Sequence, residues 1–477
     1  MSYGILSFGA YVPALRLDRK AIFGAVGWAA PNLRALASGE RTVANWDEDS
    51  ITMAVEAGLD CLNDVSSTVD HVSMISTTFP FADRSNSGLI ADALNLGTDV
   101  GTEDLAGSRR AATSGLSRAL KTGAPSSLLI ASDCREAKPA SAQEMSYGHG
   151  SGALLLGEGE PIAEFLGSAS EHEDLVDQYR STGTDYDYSL EERWVREEGW
   201  LKIAPTAMAN AATAANVKLS DIDHFVVHGA IGAMKGLAKT IKVDLSRFED
   251  NLASACGDTG AAHPFLMLAS SLEKASPGET IMLVGFGQGV DAVVVKTTSA
   301  LVGMRAKKGL KKFMERRRST ENYTFYLSLR ERLGLDFGLR AERDNRTALS
   351  AYYRKRRDIN SMIGGRCSKC NALQYPLSIV CVSCGASGTQ SEETLSTKLG
   401  RVKSFTEDWL AYTPSPPCIY GNVEFDGGAN VMLEFTDFES GSVSVGDEVR
   451  LVYRVKDRDD KRNFHRYFWK PAPLISA

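Results

Sequence analysis

The sequence predicts an α/β protein, built from layers of helices on strands, that is followed by a smaller β-rich part. From residue 1 to about 300, short apolar runs alternate with amphipathic stretches, which is the pattern of α/β layers. From about residue 364 the chain is instead rich in β-branched and turn residues. With 477 residues, 43% of them hydrophobic and 24% charged, it is long enough for two or three domains with buried cores.

The first 300 residues are predicted to form one α/β domain with two halves of similar rhythm, one ending near Gly157 and the other starting near Ile203. The helical pattern is clear in residues 50–64, where apolar side chains such as Met53 and Ala57 recur at helical spacing. The apolar runs predicted to be strands are residues 72–76, 127–132, 153–156, 224–228 and 280–285.

Residues 301–363 are predicted to be a basic helical linker. Residues 305–318 hold eight Lys or Arg against one Glu. One interpretation is a solvated helix that connects two domains. The other is a basic surface for a nucleotide phosphate or a partner subunit, because clustered Lys and Arg offer charge-assisted hydrogen bonds to phosphate.

Residues 364–394 are predicted to be a zinc ribbon, because four of the eight cysteines fall within 18 residues. Cys367 and Cys370 form one CxxC pair, and Cys381 and Cys384 form a second pair ten residues later. Two such pairs complete the closed tetrahedral thiolate shell that structural Zn²⁺ prefers. A redox function would require one CxxC near a βαβ unit, which this region lacks.

Residues 395–477 are predicted to form a small five-stranded barrel of the OB type, with strands at 400–406, 419–425, 431–435, 448–455 and 464–469. OB-folds with zinc ribbons often bind single-stranded nucleic acid. The net charge of −7 argues against a chain devoted to nucleic acid, so we expect no such partner. No apolar run reaches the ~20 residues of a membrane helix, and residues 1–10 do not resemble a secretory signal. We therefore expect a cytoplasmic protein without a membrane partner.

Residues that could carry chemistry lie at strand-to-helix junctions. His228 follows a predicted strand and precedes a helix, at the sheet edge where α/β proteins build sites, although a structural histidine would also fit there. Two glycine-rich turns follow it along the chain. One contains Gly257, Asp258 and His263, and the other contains Gly285, Gly287 and Gly289, where glycine permits close backbone approach.

Taken in order, these segments resemble the thiolase superfamily, in the branch of hydroxymethylglutaryl-CoA synthase and 3-oxoacyl-acyl-carrier-protein synthase III. The resemblance rests on residues 9–17 and 148–157, the His228 turn and the two glycine-rich turns, and it extends to about residue 300. It implies a duplicated thiolase-type layered fold, a coenzyme A thioester as substrate, and the four glycines named above as its binding residues. From about Tyr323 the chain resembles the zinc-ribbon and OB-fold proteins that accompany thiolases in acyl-CoA metabolism.

The chain departs from this family at the positions that carry its chemistry. Arg109, with Ser108 beside it, stands where the family has a nucleophilic cysteine at the start of a helix. Asp258 replaces the usual asparagine, and the synthase glutamate would fall near Thr78. Only His228 matches the family.

Two functions remain open, because an arginine stays protonated and cannot act as a nucleophile. In one, the chain alone acts on a β-keto or β-hydroxyacyl-CoA, by retro-aldol or retro-Claisen cleavage or by acyl transfer. His228, Asp258 or His263 would then be the acid or base, Arg109 would stabilise an enolate or carboxylate, and Ser108 would need a base to replace the cysteine. In the other, the chain is the subunit of a complex whose separate thiolase carries the cysteine. The resemblance implies a homodimer or an equivalent heteromer.

Overall fold

The computed structural model of the protein describes residues 2–123, 125–305, 309–339, 348–459 and 461–475. The chain divides into two compact units. Unit 1 comprises Met1–Ala44, Asp49–Gly88 and Thr98–Tyr323, and unit 2 comprises Asn45–Glu48, Leu89–Gly97 and Thr324–Ala477. Within the described ranges, none of the helices has the length and apolar character needed to cross a membrane.

Unit 1 is built on a nine-stranded mixed sheet with two small sheets beside it. Its strands are β1 (Ser2–Tyr11), β2 (Leu15–Asp18), β3 (Glu40–Thr42), β4 (His71–Ile75), β5 (Gly101–Leu105), β6 (Ser127–Cys134), β7 (His149–Gly159), β8 (Ala163–His172), β9 (Gln178–Tyr179), β10 (Tyr188–Ser189), β11 (His224–Val227), β12 (Thr280–Phe286), β13 (Gly289–Thr297) and β14 (Arg318–Thr320). The order in the large sheet is β11-β12-β13-β8-β1-β7-β6-β4-β5. The five strands that the sequence predicts here are confirmed.

The helices of the first 323 residues pack in layers. They are α1 (Arg19–Val26), α2 (Ser50–Leu62), α3 (Asn86–Ala93, which ends in unit 2), α4 (Ala111–Thr122), α5 (Ala142–Ser146), α6 (Glu192–Trp194), α7 (Ile203–Ala214), α8 (Ile231–Ile241), α9 (His263–Lys274), α10 (Leu301–Arg305) and α11 (Lys311–Glu315). Helix α2 packs on β1, β6 and β7, whereas α7 packs on β8 and β13. Helices α4 and α9 contact strands of both halves of the sheet and contact each other. All residues of β6 and β12 are buried, as expected for strands covered on both faces.

The segment 301–363 differs from its interpretation as a solvated linker. Strand β14 pairs in parallel with β2, Phe313 is buried, and Lys312 forms an ion pair with the buried Asp60. The segment therefore continues unit 1 as far as Tyr323, and the unit does not end near residue 300. The sequence pattern missed this because a short charged segment gains its partners only from residues far away in the chain. Residues 306–308 and 340–347 of this prediction lie outside the described residues.

Unit 2 contains two antiparallel sheets. Its helices are α12 (Tyr323–Leu329) and α13 (Leu349–Arg354), and its strands are β15 (Ile363–Cys367), β16 (Leu373–Gln374), β17 (Gln390–Thr394), β18 (Gly400–Asp408), β19 (Cys418–Phe425), β20 (Asn430–Glu434), β21 (Glu448–Asp459) and β22 (Phe464–Pro473). The larger sheet has the order β20-β19-β18-β21-β22, so the five predicted strands are confirmed. The Thr436 N–H, just after edge strand β20, donates to the Pro471 carbonyl in the other edge strand (2.9 Å). Closure into an OB-type barrel stays a prediction.

An ionic cluster of three buried side chains and the part-exposed Lys456 lies in unit 2. Lys470 Nζ is 3.0 Å from Asp47 Oδ2 and 3.0 Å from Glu434 Oε1, and Lys456 Nζ is 2.7 Å from Glu434 Oε2. Asp47 belongs to the short segment Asn45–Glu48, which joins unit 2 although its neighbours in sequence lie in unit 1. Burial raises the pKa of Glu434, but Lys470 and Lys456 outweigh it and lower that pKa to about 2.

This cluster should make folding sensitive to acid. The Glu434 carboxylate contributes stability fully above its unfolded pKa of about 4.3, and the contribution disappears as the pH falls towards about 2. A depression of this size corresponds to about 3 kcal/mol. We expect Glu434→Gln to lower the free energy of unfolding in urea by about that amount at pH 7, and by about half as much near pH 3.

The control for this measurement is Glu424→Gln. Glu424 pairs with Lys403 at 2.6 Å, but 43% of its side chain is exposed, so its loss should cost at most about 0.5 kcal/mol. An equal loss for Glu434→Gln at both pH values would contradict the assigned coupling.

Candidate active site

Three of the predicted site residues meet at one edge of unit 1. Arg109 lies just before α4, His228 directly follows β11, and Asp258 lies in the turn before α9. The Arg109 guanidinium forms an ion pair with Asp258, and its Nη2 is 3.1 Å from His228 Nε2. Asp258 Oδ1 is 3.1 Å from the same His228 nitrogen. A neutral ring nitrogen is either a donor or an acceptor, so His228 Nε2 either donates to Asp258 or accepts from Arg109. The three side chains lie in mutual contact, and we call them the Arg–His–Asp cluster.

The charges in this cluster balance each other. Burial alone would raise the pKa of Asp258, but Arg109 outweighs it and holds that pKa well below its usual range. In the same way burial would lower the pKa of Arg109, and Asp258 raises it above its usual value. His228 is 8% exposed, and burial lowers its pKa despite Asp258. At neutral pH the cluster is a guanidinium, a carboxylate and a neutral imidazole.

His263 lies against this cluster without a free ring nitrogen. Its ring centroid is 4.4 Å from that of His228. The Thr259 N–H donates to its Nδ1 (3.1 Å), and its Nε2 bonds to the Asn251 carbonyl (2.9 Å). Burial and the neighbouring His228 lower its pKa to about 3. With both nitrogens bound to backbone, His263 is suited to positioning His228 and poorly suited to proton transfer.

Ser108 is near the cluster but is bound to backbone. Its Oγ donates to the Gly287 carbonyl (3.1 Å) and accepts from the Arg110 N–H (3.1 Å). None of its hydrogen bonds in the described part of the chain involves a histidine. The geometry therefore provides no base that would activate it as a nucleophile.

Close packing or a positive φ angle accounts for each of the four candidate binding glycines. A Cβ at Gly285 would lie 2.2 Å from Thr113 Oγ1, and one at Gly287 would lie 2.7 Å from Ser108 Oγ. Gly257 and Gly289 have positive φ angles, +86° and +122°, that side chains rarely allow. Their role in binding coenzyme A stays a prediction.

Residues 177–190 form a hairpin over this site that sequence reasoning missed. Asp187 accepts hydrogen bonds from Arg135 Nη2 (2.6 Å) and from the Tyr147 hydroxyl (2.8 Å). Gln178 accepts one from Arg109 Nη1 (3.1 Å). The hairpin strands are only two residues long, so they leave no periodicity to detect. The aspartates within it were the only available signal.

Asp133 is a second carboxylate that sequence reasoning missed. It lies next to Thr78, the position near which the resemblance places the synthase glutamate. Its oxygens accept from Ser76 Oγ (2.9 Å), Thr78 Oγ1 (3.1 Å) and the Ala261 N–H (2.8 Å). Asp133 is fully buried, and these bonds tie the end of β6 to the turn before α9. This environment indicates a structural role.

The cysteines of unit 1 are not placed to replace the missing nucleophile. Burial raises the pKa of the Cys256 thiol, which is fully buried against Thr42. Cys134 Sγ is 3.5 Å from His149 Nδ1, but that nitrogen already accepts the Ala44 N–H (2.9 Å).

The four cysteines of the predicted zinc ribbon converge in unit 2. Their sulfur atoms all lie within 4.8 Å of one another, with Cys367 and Cys384 3.8 Å apart and Cys370 and Cys381 3.6 Å apart. A tetrahedral shell with Zn–S bonds of about 2.3 Å places sulfurs about 3.8 Å apart, whereas a disulfide bond is about 2.05 Å long. The residues therefore fit a tetrahedral metal ion, and zinc itself stays a prediction.

Comparison with known proteins agrees with this architecture. Residues 212–297 match the family model described as 3-oxoacyl-[acyl-carrier-protein] synthase III C terminal. Hydroxymethylglutaryl-CoA synthases of Archaeoglobus fulgidus and Aeropyrum pernix are each 27% identical to the chain, over 69% and 70% of it and 99% and 95% of their own lengths.

Solved structures show the same fold. The 3-oxoacyl-(acyl carrier protein) synthase III of Pseudomonas aeruginosa PAO1 has a TM-score of 0.57 at 20% identity and covers 63% of this chain and 99% of its own. A hydroxymethylglutaryl-CoA synthase of Bacillus subtilis has a TM-score of 0.60 at 19% identity and covers 69% and 88%. Unit 1 has the thiolase-superfamily fold. The thiolase-type fold predicted from the sequence is thus confirmed for this unit.

Proposed function

We propose that this protein binds an acyl-CoA thioester and acts in carbon-carbon bond formation or cleavage as one subunit of a complex with a cysteine-bearing thiolase. The observation that carries the proposal is the position of Arg109. Its guanidinium contacts both His228 and Asp258, and it lies at the helix start where the resemblance places the family's nucleophile. The substrate class is supported by relatives named hydroxymethylglutaryl-CoA synthase.

Neither Arg109 nor Ser108 is an activated nucleophile, which supports the assignment of acyl transfer to another chain. Arginine stays protonated, and Ser108 is bound to the backbone of Gly287. The paired charges of Arg109 and Asp258 also stabilise a closed cluster in which neither group is available to bind a covalent intermediate.

A second function is favoured by the state of His228. Its lowered pKa leaves a neutral imidazole at neutral pH, which can accept the proton of a β-hydroxyl group. Retro-aldol cleavage requires this base and a donor for the developing enolate oxygen, and no acyl-enzyme. Arg109 is 3.1 Å from His228 and would be that donor.

The two functions differ in what the purified chain does alone. We would incubate it with β-keto and β-hydroxyacyl-CoAs, with and without any thiolase-type chain that is found to co-purify with it from its own cells. Thioester products and protein mass would be followed by mass spectrometry. The subunit function predicts product only when the thiolase is added, and no covalent adduct on this chain.

His228→Ala, with His224→Ala as its control, separates the alternatives further. The two histidines flank the same strand, but His224 binds Glu249 and Glu279 (2.8 and 2.9 Å), away from the cluster. If this chain is a subunit, both variants should retain turnover in the complex. Product from the unchanged chain alone, lost in His228→Ala and kept in His224→Ala, would replace the subunit function by autonomous cleavage.

A further inference from the structure

Arg109 has a neutral partner as well as its charged one. Nη2 faces Asp258 and His228, whereas Nη1 donates to the side-chain oxygen of Gln178 (3.1 Å). Gln178 lies on β9 of the 177–190 hairpin. Its amide oxygen is an uncharged sp² acceptor, like the carbonyl oxygen of a thioester.

Polar contacts hold this hairpin on the site. Asp177 accepts from Gln288 Nε2 (2.6 Å), Asp187 accepts from Arg135 and Tyr147, and Ser189 Oγ accepts from Gln143 Nε2 (2.9 Å). On the outside, Tyr179 and Tyr188 are 52% and 62% exposed. The Asp187–Arg135 ion pair is almost fully buried and fixes the hairpin in place. Displacement of Gln178 from Arg109 therefore requires only a rotation of its half-buried side chain.

We propose that Arg109 Nη1 is the binding position for the carbonyl oxygen of the acyl thioester, and that Gln178 is an internal mimic of this oxygen that the substrate displaces. The inference rests on the proposed function and adds to it how the same site is kept closed. A hydrogen bond from a guanidinium to a carbonyl oxygen is stronger than one between neutral groups. The substrate must displace Gln178 from this bond. The apparent affinity of the protein for the substrate is therefore lower when fewer chains have Nη1 free of Gln178.

Titration with acetyl-CoA and with free CoA tests this directly, because only acetyl-CoA has the thioester carbonyl. Gln178→Ala should lower the dissociation constant for acetyl-CoA about tenfold, the factor expected for loss of one competing charged hydrogen bond. Its affinity for free CoA should stay within about twofold. Gln178→Glu should weaken acetyl-CoA binding, because a carboxylate holds Arg109 more strongly than an amide.

Gln143→Ala is the matched control. It removes the hydrogen bond at the other end of the hairpin and leaves Arg109 untouched, so acetyl-CoA affinity should not change. The inference would be overturned if Gln143→Ala raised the affinity for acetyl-CoA as much as Gln178→Ala does, or if Gln178→Ala raised the affinity for free CoA equally. Either result would mean that loosening of the hairpin alone is responsible. An unchanged affinity of Gln178→Ala for acetyl-CoA would also overturn the inference.

Failure of the proposed function gives a different result. If neither the unchanged chain nor Gln178→Ala binds acetyl-CoA or CoA, the proposed function fails and the inference fails with it. If the unchanged chain binds acetyl-CoA but Gln178→Ala and Gln178→Glu bind it equally well, only the inference fails. Binding by Gln178→Ala alone would support both.

Discussion

Replacing Arg109 with cysteine and Asp258 with asparagine should produce a chain that acetyl-CoA acetylates, whereas the unchanged chain should show no adduct. Position 109 lies directly before α4, whose N-cap is Arg110, and the positive end of a helix favours a thiolate. His228 is already in place as the base beside this position. Asp258 must change as well, because removal of Arg109 would leave its carboxylate without its cation.

Intact-protein mass spectrometry would measure this gain, with Ser108→Cys as the control. Ser108 is the neighbouring residue, but its side chain turns to the Gly287 carbonyl, so a cysteine there should remain unmodified. The expected result is a near-stoichiometric acetyl adduct on the double variant only. A folded double variant that binds acetyl-CoA without an adduct would show that position 109 does not correspond to the nucleophile.

Removing one sulfur from the four-cysteine cluster should have the second large effect. Cys384→Ser should release the metal and unfold the ribbon strands, because structural zinc contributes about 10–16 kcal/mol to the folding of comparable small sites. Elemental analysis would follow zinc, and limited proteolysis would follow exposure of residues 364–394.

Cys384→His provides the matched variant for this prediction. Cys384 is exposed, so the larger imidazole has room, and Cys₃His is an accepted zinc shell. We expect it to retain zinc and protease resistance. A Cys384→Ser chain with full zinc content and unchanged cleavage would refute the metal assignment.

The predicted strands correspond closely to those of the structure because buried strands need continuous apolar runs, which can be read locally. Ser127–Cys134 and Thr280–Phe286 extend the predicted runs by two residues or fewer. The resemblance gave Arg109, His228 and Asp258 positions in a site, but their pairing was not predicted, since 119 and 149 residues separate Arg109 from the other two. The four-cysteine cluster was predicted directly from the sequence, because the spacing of two CxxC pairs is typical of a four-thiolate metal site.

The sequence by itself determined the α/β class, the four-sulfur cluster and the absence of a cysteine at position 109. Only the tertiary structure decided that unit 1 continues to Tyr323, that Asn45–Glu48 joins unit 2, and that Gln178 accepts a hydrogen bond from Arg109. The physical reason is the distance along the chain over which each feature is determined. Helical and strand periodicities report which face of a segment is buried, whereas the partner of a lone polar side chain is set by where distant segments pack.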